Sequence, residues 1–378
     1  MVLGLFFTFD VSLKDWVESG LFDREKLIYE KHILSGKIKK IYWFTYGKND
    51  QNIIVELVSQ ISIVPMPAFF SHCKLFRCLY SVLLPFIHSK KIKECNLLKT
   101  NQMLGSWTTV ISKLIFNKKM ILRTGYTLTK ILKSEKKSIK NILKTVCYFL
   151  IEFIAYKVSN KIIVTSFHDA DYVKKIYKVD PEKIKLVPNY IDTEKFFYIK
   201  KNKFKDRIIY VGRLSSEKNL FNLIGALKNH NLTLDIYGSG VLLNELKNFA
   251  KEKNVAVNFY GNIPNYKLPE IYNRYSYFAL CSKYEGMPKT LLEAMSCGLI
   301  CLGTDVTGIN EIIKDEFNGL LSSGIDSHSI AKAIEKLKSL DEAKVAYIRE
   351  NSINFIKAKV SLDSIFKKEI ELFKELHE

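Results

Sequence analysis

The stretch YFALCSKYEGMPKTLLEAMSCGLICLGT, residues 277–304, decides the fold. YFALCS (277–282) and LICLGT (299–304) are apolar runs of strand length, and TLLEAM between them has a helical pattern opened by a Gly-Met-Pro turn. Strand, turn, helix and strand in this order form the unit that joins parallel neighbours through a crossover helix. Glu285 and Glu293 stand on either side of the turn with seven residues between them.

Outward from this unit the alternation continues. RIIYVG (207–212), LTLDIYG (232–238) and VAVNFYG (255–261) read as further buried strands, with helices expected at about 217–229, 241–253, 265–273, 289–297 and 326–339. In the first half the expected strands are 2–8, 40–45, 61–65, 95–99, 119–124, 161–165 and 184–187, with a helix at 168–178. VPNYIDTEKF (187–196) is turn-rich and KKNKFKD (200–206) is charged, so the chain divides there into two doubly wound α/β domains, 1–198 and 203–357. From about 342 to 378 the pattern is helical throughout, long enough to leave the second domain.

A chain of 378 residues, 47% hydrophobic, can bury two cores. Its net charge of +19 lies mostly in residues 1–200, which hold 33 Lys and Arg against 17 Asp and Glu. The densest basic run, KILKSEKKSIKNILK (130–144), precedes the apolar TVCYFLIEFIAY (145–156). Such a surface attracts nucleic acid, anionic lipid headgroups or acidic small substrates, and a solvated lysine-rich helix face is the plain alternative. Nothing resembles a recognition helix or an RNP aromatic pattern, so no nucleic-acid partner is expected. Seven cysteines without a C-x-x-C pair argue against a disulfide framework or a zinc site and for a reducing compartment. MVLGLFFTFDVS at the start lacks a basic leader and reads as a strand. No apolar run approaches the roughly 20 residues that span a bilayer. The expectation is a cytoplasmic protein, peripheral at most to the inner face of the cytoplasmic membrane.

Ligands of open α/β sheets bind beyond the carboxyl ends of the strands. VGRLSSEKN (211–219) delivers Gly212, Arg213 and Lys218 there, two cations suited to an anion. YGSG (237–240) delivers Gly238, Ser239 and Gly240, which let the backbone approach a bulky group. The turn delivers Gly286, Met287, Pro288, Lys289, Thr290 and Leu291, whose free amides at a helix start suit phosphate. The two glutamates then suit sugar hydroxyls, Glu293 a vicinal ribose pair and Glu285 whatever hangs from the far phosphate. Helix-dipole complementation is the bland reading of Glu293.

In ordered set, VGRLSSEKN, YGSG, YGNIP, YEGMPKTLLEAMSCGLICLGTDVTGINEII and NGLL, preceded by LVPNYIDTEKF, resemble family 4 of the retaining glycosyltransferases. The resemblance implies the GT-B fold, two Rossmann-like doubly wound parallel-sheet domains facing a central cleft, with a C-terminal helix at about 358–378 returning to the first. It implies a UDP- or GDP-linked sugar donor held by the second domain, a glycan or lipid-linked acceptor held by the first, and transfer with retention. Arg213 and Lys218 would neutralise the diphosphate, Glu285 would hold donor-sugar hydroxyls, the 286–291 backbone would contact sugar and phosphate, and Glu293 would bind ribose. No protein nucleophile, cofactor or metal is implied.

The first domain departs from the family pattern. Its first loop, TFDVSLKDW (8–16), lacks the usual Gly-Gly, and KMILRTGYT (119–127) lacks the usual His, so Lys14, Asn101, Gln102 and Arg123 are the candidates for acceptor or donor-sugar contact. These departures suit a subgroup that builds bacterial lipopolysaccharide, capsule or other surface polysaccharide. Asp169 and Asp171 form a D-x-D, the metal signature of the other glycosyltransferase fold, but at a helix start acids serve as caps. A non-catalytic sugar-nucleotide-binding regulatory subunit is the competing function.

Overall fold

The computed structural model describes residues 1–125, 127–129, 139–201 and 203–377. Residues 130–138, most of the basic run, lie outside the described residues. The chain forms two compact units, Met1–Pro188 with Phe366–Glu378, and Asn189–Ile365.

The first unit is built on seven strands: β1 (Val2–Phe6), β2 (Lys40–Phe44), β3 (Ile61–Val64), β4 (Leu97–Thr100), β5 (Lys119–Thr124), β6 (Lys161–Val164) and β7 (Ile184–Leu186). Their order is β3-β2-β1-β4-β5-β6-β7, and every pairing is parallel. Such strands are covered on both faces, which is why they read as unbroken apolar runs. Helices α1 (Leu13–Glu18) and α2 (Phe22–Leu34) follow β1, α3 (Lys74–Ile87) and α4 (Ser89–Glu94) follow β3, and α5 (Ser106–Phe116), α6 (Ile139–Val158) and α7 (Phe167–Tyr177) follow β4, β5 and β6. A capping box starts α1, where the Ser12 hydroxyl accepts from the Asp15 amide and the Asp15 carboxylate accepts from the Ser12 amide.

The second unit carries β8 (Phe204–Val211), β9 (Thr233–Tyr237), β10 (Val257–Gly261), β11 (Tyr275–Leu280), β12 (Ile300–Thr304) and β13 (Leu320–Ser322). They lie in the order β10-β9-β8-β11-β12-β13, again all parallel. The intervening helices are α8 (Leu220–Ala226), α9 (Leu243–Lys253), α10 (Leu268–Tyr272), α11 (Lys289–Ser296), α12 (Ser327–Lys338) and α13 (Glu342–Lys359). Strand order reverses between β1 and β4 in one sheet and between β8 and β11 in the other, and a crevice opens at the carboxyl ends at each reversal.

Three local expectations change. The helix expected from 217 starts later: Ser216–Lys218 is a 3-10 turn and Asn219 adopts φ 58°, because its side-chain amide is drawn to the Cys281 and Ile325 carbonyls at 3.0 and 2.7 Å. The C-terminal helical pattern breaks at Val360–Ser361, where the Ile191 amide donates to the Val360 carbonyl, the Leu362 amide donates to the Ile191 carbonyl, and a short parallel bridge forms between Ile191 and Ser361. A final helix, α14 (Leu362–His377), follows. Strand β13 was not expected as a strand; three residues are too few to show a period.

From Phe366 onward α14 belongs to the first unit. Its Glu369 is buried there and accepts from Lys99 Nζ at 2.6 Å, while His32 Nε2 stands 2.9 Å from its other oxygen. Burial alone would push the Glu369 carboxyl up, but the Lys99 ammonium and the His32 ring outweigh it and hold the carboxyl well below its ordinary range.

Candidate active site

At the reversal between β8 and β11, the loops leaving the two strands are bound to one another. The Asn219 amide bonds the Cys281 carbonyl, and the Lys283 amide donates to the Glu217 carbonyl at 2.8 Å. This fastening brings Lys218 and Glu285 together: Lys218 Nζ donates to Glu285 Oε1 at 2.7 Å, and Ser282 Oγ donates to the same oxygen at 2.6 Å. Both side chains are largely buried, 14% exposed for Lys218 and 10% for Glu285. A lysine expected at the diphosphate and a glutamate expected at sugar hydroxyls thus face each other directly. Arg213 points into solvent, its guanidinium 3.7 Å from Glu217. Burial pushes the Glu217 carboxyl up, but the Ser215 hydroxyl and the neighbouring Lys218 and Arg213 charges bring it below its ordinary value.

The glycines of YGSG are packed tightly against neighbouring backbone. A Cβ on Gly238 would sit 1.9 Å from the Gly212 carbonyl oxygen, and one on Gly240 would sit 2.3 Å from that of Leu214. The bulky group they admit is the chain itself: Gly212 donates to the Tyr237 carbonyl and Leu214 to that of Ser239, each at 2.9 Å. Gly238, Ser239 and Gly240 therefore shape the loop that presents Arg213.

The turn after β11 is propped from behind. Glu285 N–H donates to the Thr307 carbonyl at 3.1 Å, and Gly308, at φ 84°, packs so closely that a Cβ would meet the Glu285 and Gly286 carbonyl oxygens at 2.4 Å. The Met287 carbonyl accepts from Asn189 Nδ2 at 3.2 Å. Pro288 is the cap residue of α11 and not its first helical residue, and the first amide to join the helical ladder is that of Leu292. The N–H groups of Lys289, Thr290 and Leu291 therefore lie ahead of the ladder at the positive end of the helix dipole. Leu291 is fully buried, with its side chain in the core of the second unit.

Glu293 is 1% exposed. Asn265 Nδ2 and the Tyr272 hydroxyl each stand 3.3 Å from its carboxylate oxygens, so it is held by two polar side chains one turn into α11. Cys281, directly after β11, is also buried, and burial pushes its thiol up to about 12, which disfavours a thiolate there.

In the first unit the candidates divide. Asn101 and Gln102 follow β4 and Arg123 lies on β5; Arg123 Nη1 donates to the Asn101 carbonyl at 3.4 Å, and Gln102 Oε1 accepts from the Gly125 amide at 2.8 Å. These three share the carboxyl ends of adjacent strands. Lys14 does not join them: it is 69% exposed on α1 and pairs with Glu18 at 3.5 Å, a surface helix pair. Nearby, buried Glu152 of α6 accepts from the Leu128 amide at 2.6 Å and the Thr129 hydroxyl at 2.7 Å and so positions the segment after β5. Asp169 accepts the Ser166 hydroxyl at 2.8 Å at the start of α7, and Asp171 pairs with Lys175 at 3.9 Å. No cluster of three or more His, Cys, Asp or Glu able to hold a metal exists among the described residues.

The model of the family described as Glycosyl transferases group 1 matches residues 191–355. The UDP-Gal:alpha-D-GlcNAc-diphosphoundecaprenol alpha-1,3-galactosyltransferase of Escherichia coli is 32% identical over 234 residues, 57% of this chain and 58% of the relative. The chain thus spans under two thirds of that relative's length. Among solved structures, sucrose-phosphate synthase from Thermosynechococcus elongatus overlays at TM-score 0.79 with 18% identity, covering 100% of this chain and 99% of its own. HepE of Anabaena, in complex with UDP and glucose, overlays at 0.74 with 18% identity, covering 99% of this chain and 100% of its own. The fold is that of the GT-B glycosyltransferases.

Around this site, sequence reading missed the supports: Ser282 on Glu285, Gly308 behind Gly286, Asn189 on Met287 and Asn219 between the loops. Each stood in a recognised motif, but only the fold shows which carbonyl or carboxylate it meets. No helix among the described residues is long and apolar enough to cross a membrane.

Proposed function

We propose that the chain is a retaining glycosyltransferase that moves a sugar from a UDP- or GDP-linked donor to a lipid-linked acceptor during bacterial surface-glycan assembly, without a metal. The observation that carries this reading is the meeting of Lys218 and Glu285 at the strand-order reversal, where the turn after Glu285 leads into α11, within residues that match the group 1 family. The relative from Escherichia coli is named for a UDP-galactose donor and a diphosphoundecaprenol acceptor, which supports a nucleotide sugar and a membrane-held acceptor.

In this reading the donor diphosphate lies over the N–H groups of 289–291, with Lys218 and Arg213 supplying the positive charge. As the sugar–phosphate bond breaks, negative charge collects on the leaving phosphate, and fixed cations beside it stabilise that state more than the ground state. Lys218 is already oriented by Glu285, so little reorganisation accompanies the step. Glu285 shares Oε1 with Lys218 and Ser282 and offers its carboxylate to donor-sugar hydroxyls. The leaving phosphate takes the acceptor proton, and no protein nucleophile is used. The first unit holds the acceptor through Asn101, Gln102 and Arg123.

The test is a panel of UDP- and GDP-sugars offered with a polyprenyl-diphosphate-linked sugar acceptor. One donor should raise the melting temperature and be consumed with formation of an α-linked product from an α-linked donor. No turnover with any donor and no thermal shift would refute the proposal.

A further inference from the structure

We propose that the outer face of α3, α5 and α6 is a membrane-docking surface that enters the headgroup region of an anionic bilayer. This deepens the transferase reading, which requires a membrane-held acceptor.

The three helices lie side by side on one face of the first sheet, α5 in the middle. On α3 the residues turned inward are Tyr80, Ser81, Leu84 and Pro85. The opposite stripe should then be polar, as on any water-facing helix. It is instead Leu75, Leu79, Val82 and Phe86, spaced by four, three and four, and Leu75 is 75% exposed. On α6, Glu152, Ala155 and Tyr156 face inward, and Leu143, Val146, Leu150 and Phe153 face out, with Leu143 67% exposed. Leu114, 65% exposed on α5, lies between the two stripes. Apolar side chains of this size in contiguous rows mark an interaction surface.

Charge identifies the occupant. Between Glu56 and Glu152 the chain has two acids, Glu94 and Glu135, against sixteen Lys and Arg. Helices α3 and α5 contain no acid, and the one acid of α6, Glu152, is buried. Exposed Lys74 and Lys144 flank the apolar rows. A second copy of the chain would set this basic surface against itself, whereas anionic headgroups satisfy the lysines while the leucines and phenylalanines enter the acyl boundary. An apolar core with a basic rim, on three helices that themselves carry no exposed carboxylate, is the pattern of an interfacial surface.

The experiment is co-sedimentation of the full chain with phosphatidylcholine vesicles, alone or containing a third phosphatidylglycerol, with neither donor nor acceptor present. The wild type should bind the anionic vesicles, more weakly in high salt. The double variants Leu143→Glu/Leu150→Glu and Leu75→Glu/Leu79→Glu should each lower binding about tenfold or more with unchanged melting temperature, since these leucines already face water. Should a glutamate pair impair folding, Leu143→Ser/Leu150→Ser should show the same loss. Absence of wild-type binding, or variants that bind as well as wild type, would overturn the proposal. So would a dimer in sedimentation velocity that the same variants dissolve, since the face would then belong to a second copy. Vesicle binding without turnover would sink the transferase reading alone.

Discussion

Replacing Lys218 by methionine keeps most of the side-chain length and removes its charge. Two losses follow from the geometry. The leaving diphosphate loses a cation in a site where Lys218 is 14% exposed, and removing one such fixed donor of charge stabilisation costs about 3 kcal/mol, or roughly 150-fold in kcat. Glu285, 10% exposed and 2.7 Å from the vanished ammonium, is left facing the incoming diphosphate without a counter-ion. Like charges in a partly dry site repel, and donor KM should rise about tenfold. Adding Glu285→Gln removes that repulsion along with the glutamate's own contribution, so the double variant should lose less than the product of the two single losses. The assay is chromatographic release of nucleoside diphosphate at saturating acceptor, with kcat and KM determined separately. A Lys218→Met enzyme within threefold of wild-type kcat, or losses that multiply strictly, would refute the assignment.

Three other outcomes are expected. Gly238→Ala places a Cβ 1.9 Å from the Gly212 carbonyl at φ 144° and should lower stability by about 2 kcal/mol or more, read as a drop in melting temperature. Acid should release α14 from the first unit. Glu369 titrates below its ordinary 4.5 when folded, so its contribution is present above that value and lost as pH falls through the folded value; burial holds His32 neutral and below its ordinary 6.5, so the unfolded chain gains a proton first and stability already declines below about 6.5. Hydrogen exchange in α14 from pH 7 to 4 checks this, and flat protection would refute it. Activity should survive EDTA, and Asp171→Asn should leave kcat within twofold, because Asp171 is a surface partner of Lys175; a metal requirement would overturn this reading of the D-x-D.

Both sheets were legible because parallel strands covered on two faces read as apolar runs, and because each crossover is long enough to show its period. What escaped was short or depended on distant partners. β13 has three residues, and the break at Ser361 depends on Ile191, 170 positions earlier. At the candidate site the residue types were readable, but their partners were not: Gly238 meets backbone, and Lys218 meets Glu285. Lys14 stands in a surface pair with Glu18, and in sequence a cation after the first strand looks the same whether it serves a ligand or such an i,i+4 pair. The apolar rows of α3 and α6 were visible as hydrophobic runs, but only the fold shows that they face outward.

The most direct measurement is calorimetric titration of UDP and GDP into the wild-type chain and into Arg213→Ala/Lys218→Ala. One of the two nucleotides should bind the wild type, and the double variant should bind it at least 100-fold more weakly, corresponding to about 2.7 kcal/mol or more. Equal affinity in both proteins, or no binding of either nucleotide, would contradict a diphosphate site at the β8–β11 reversal.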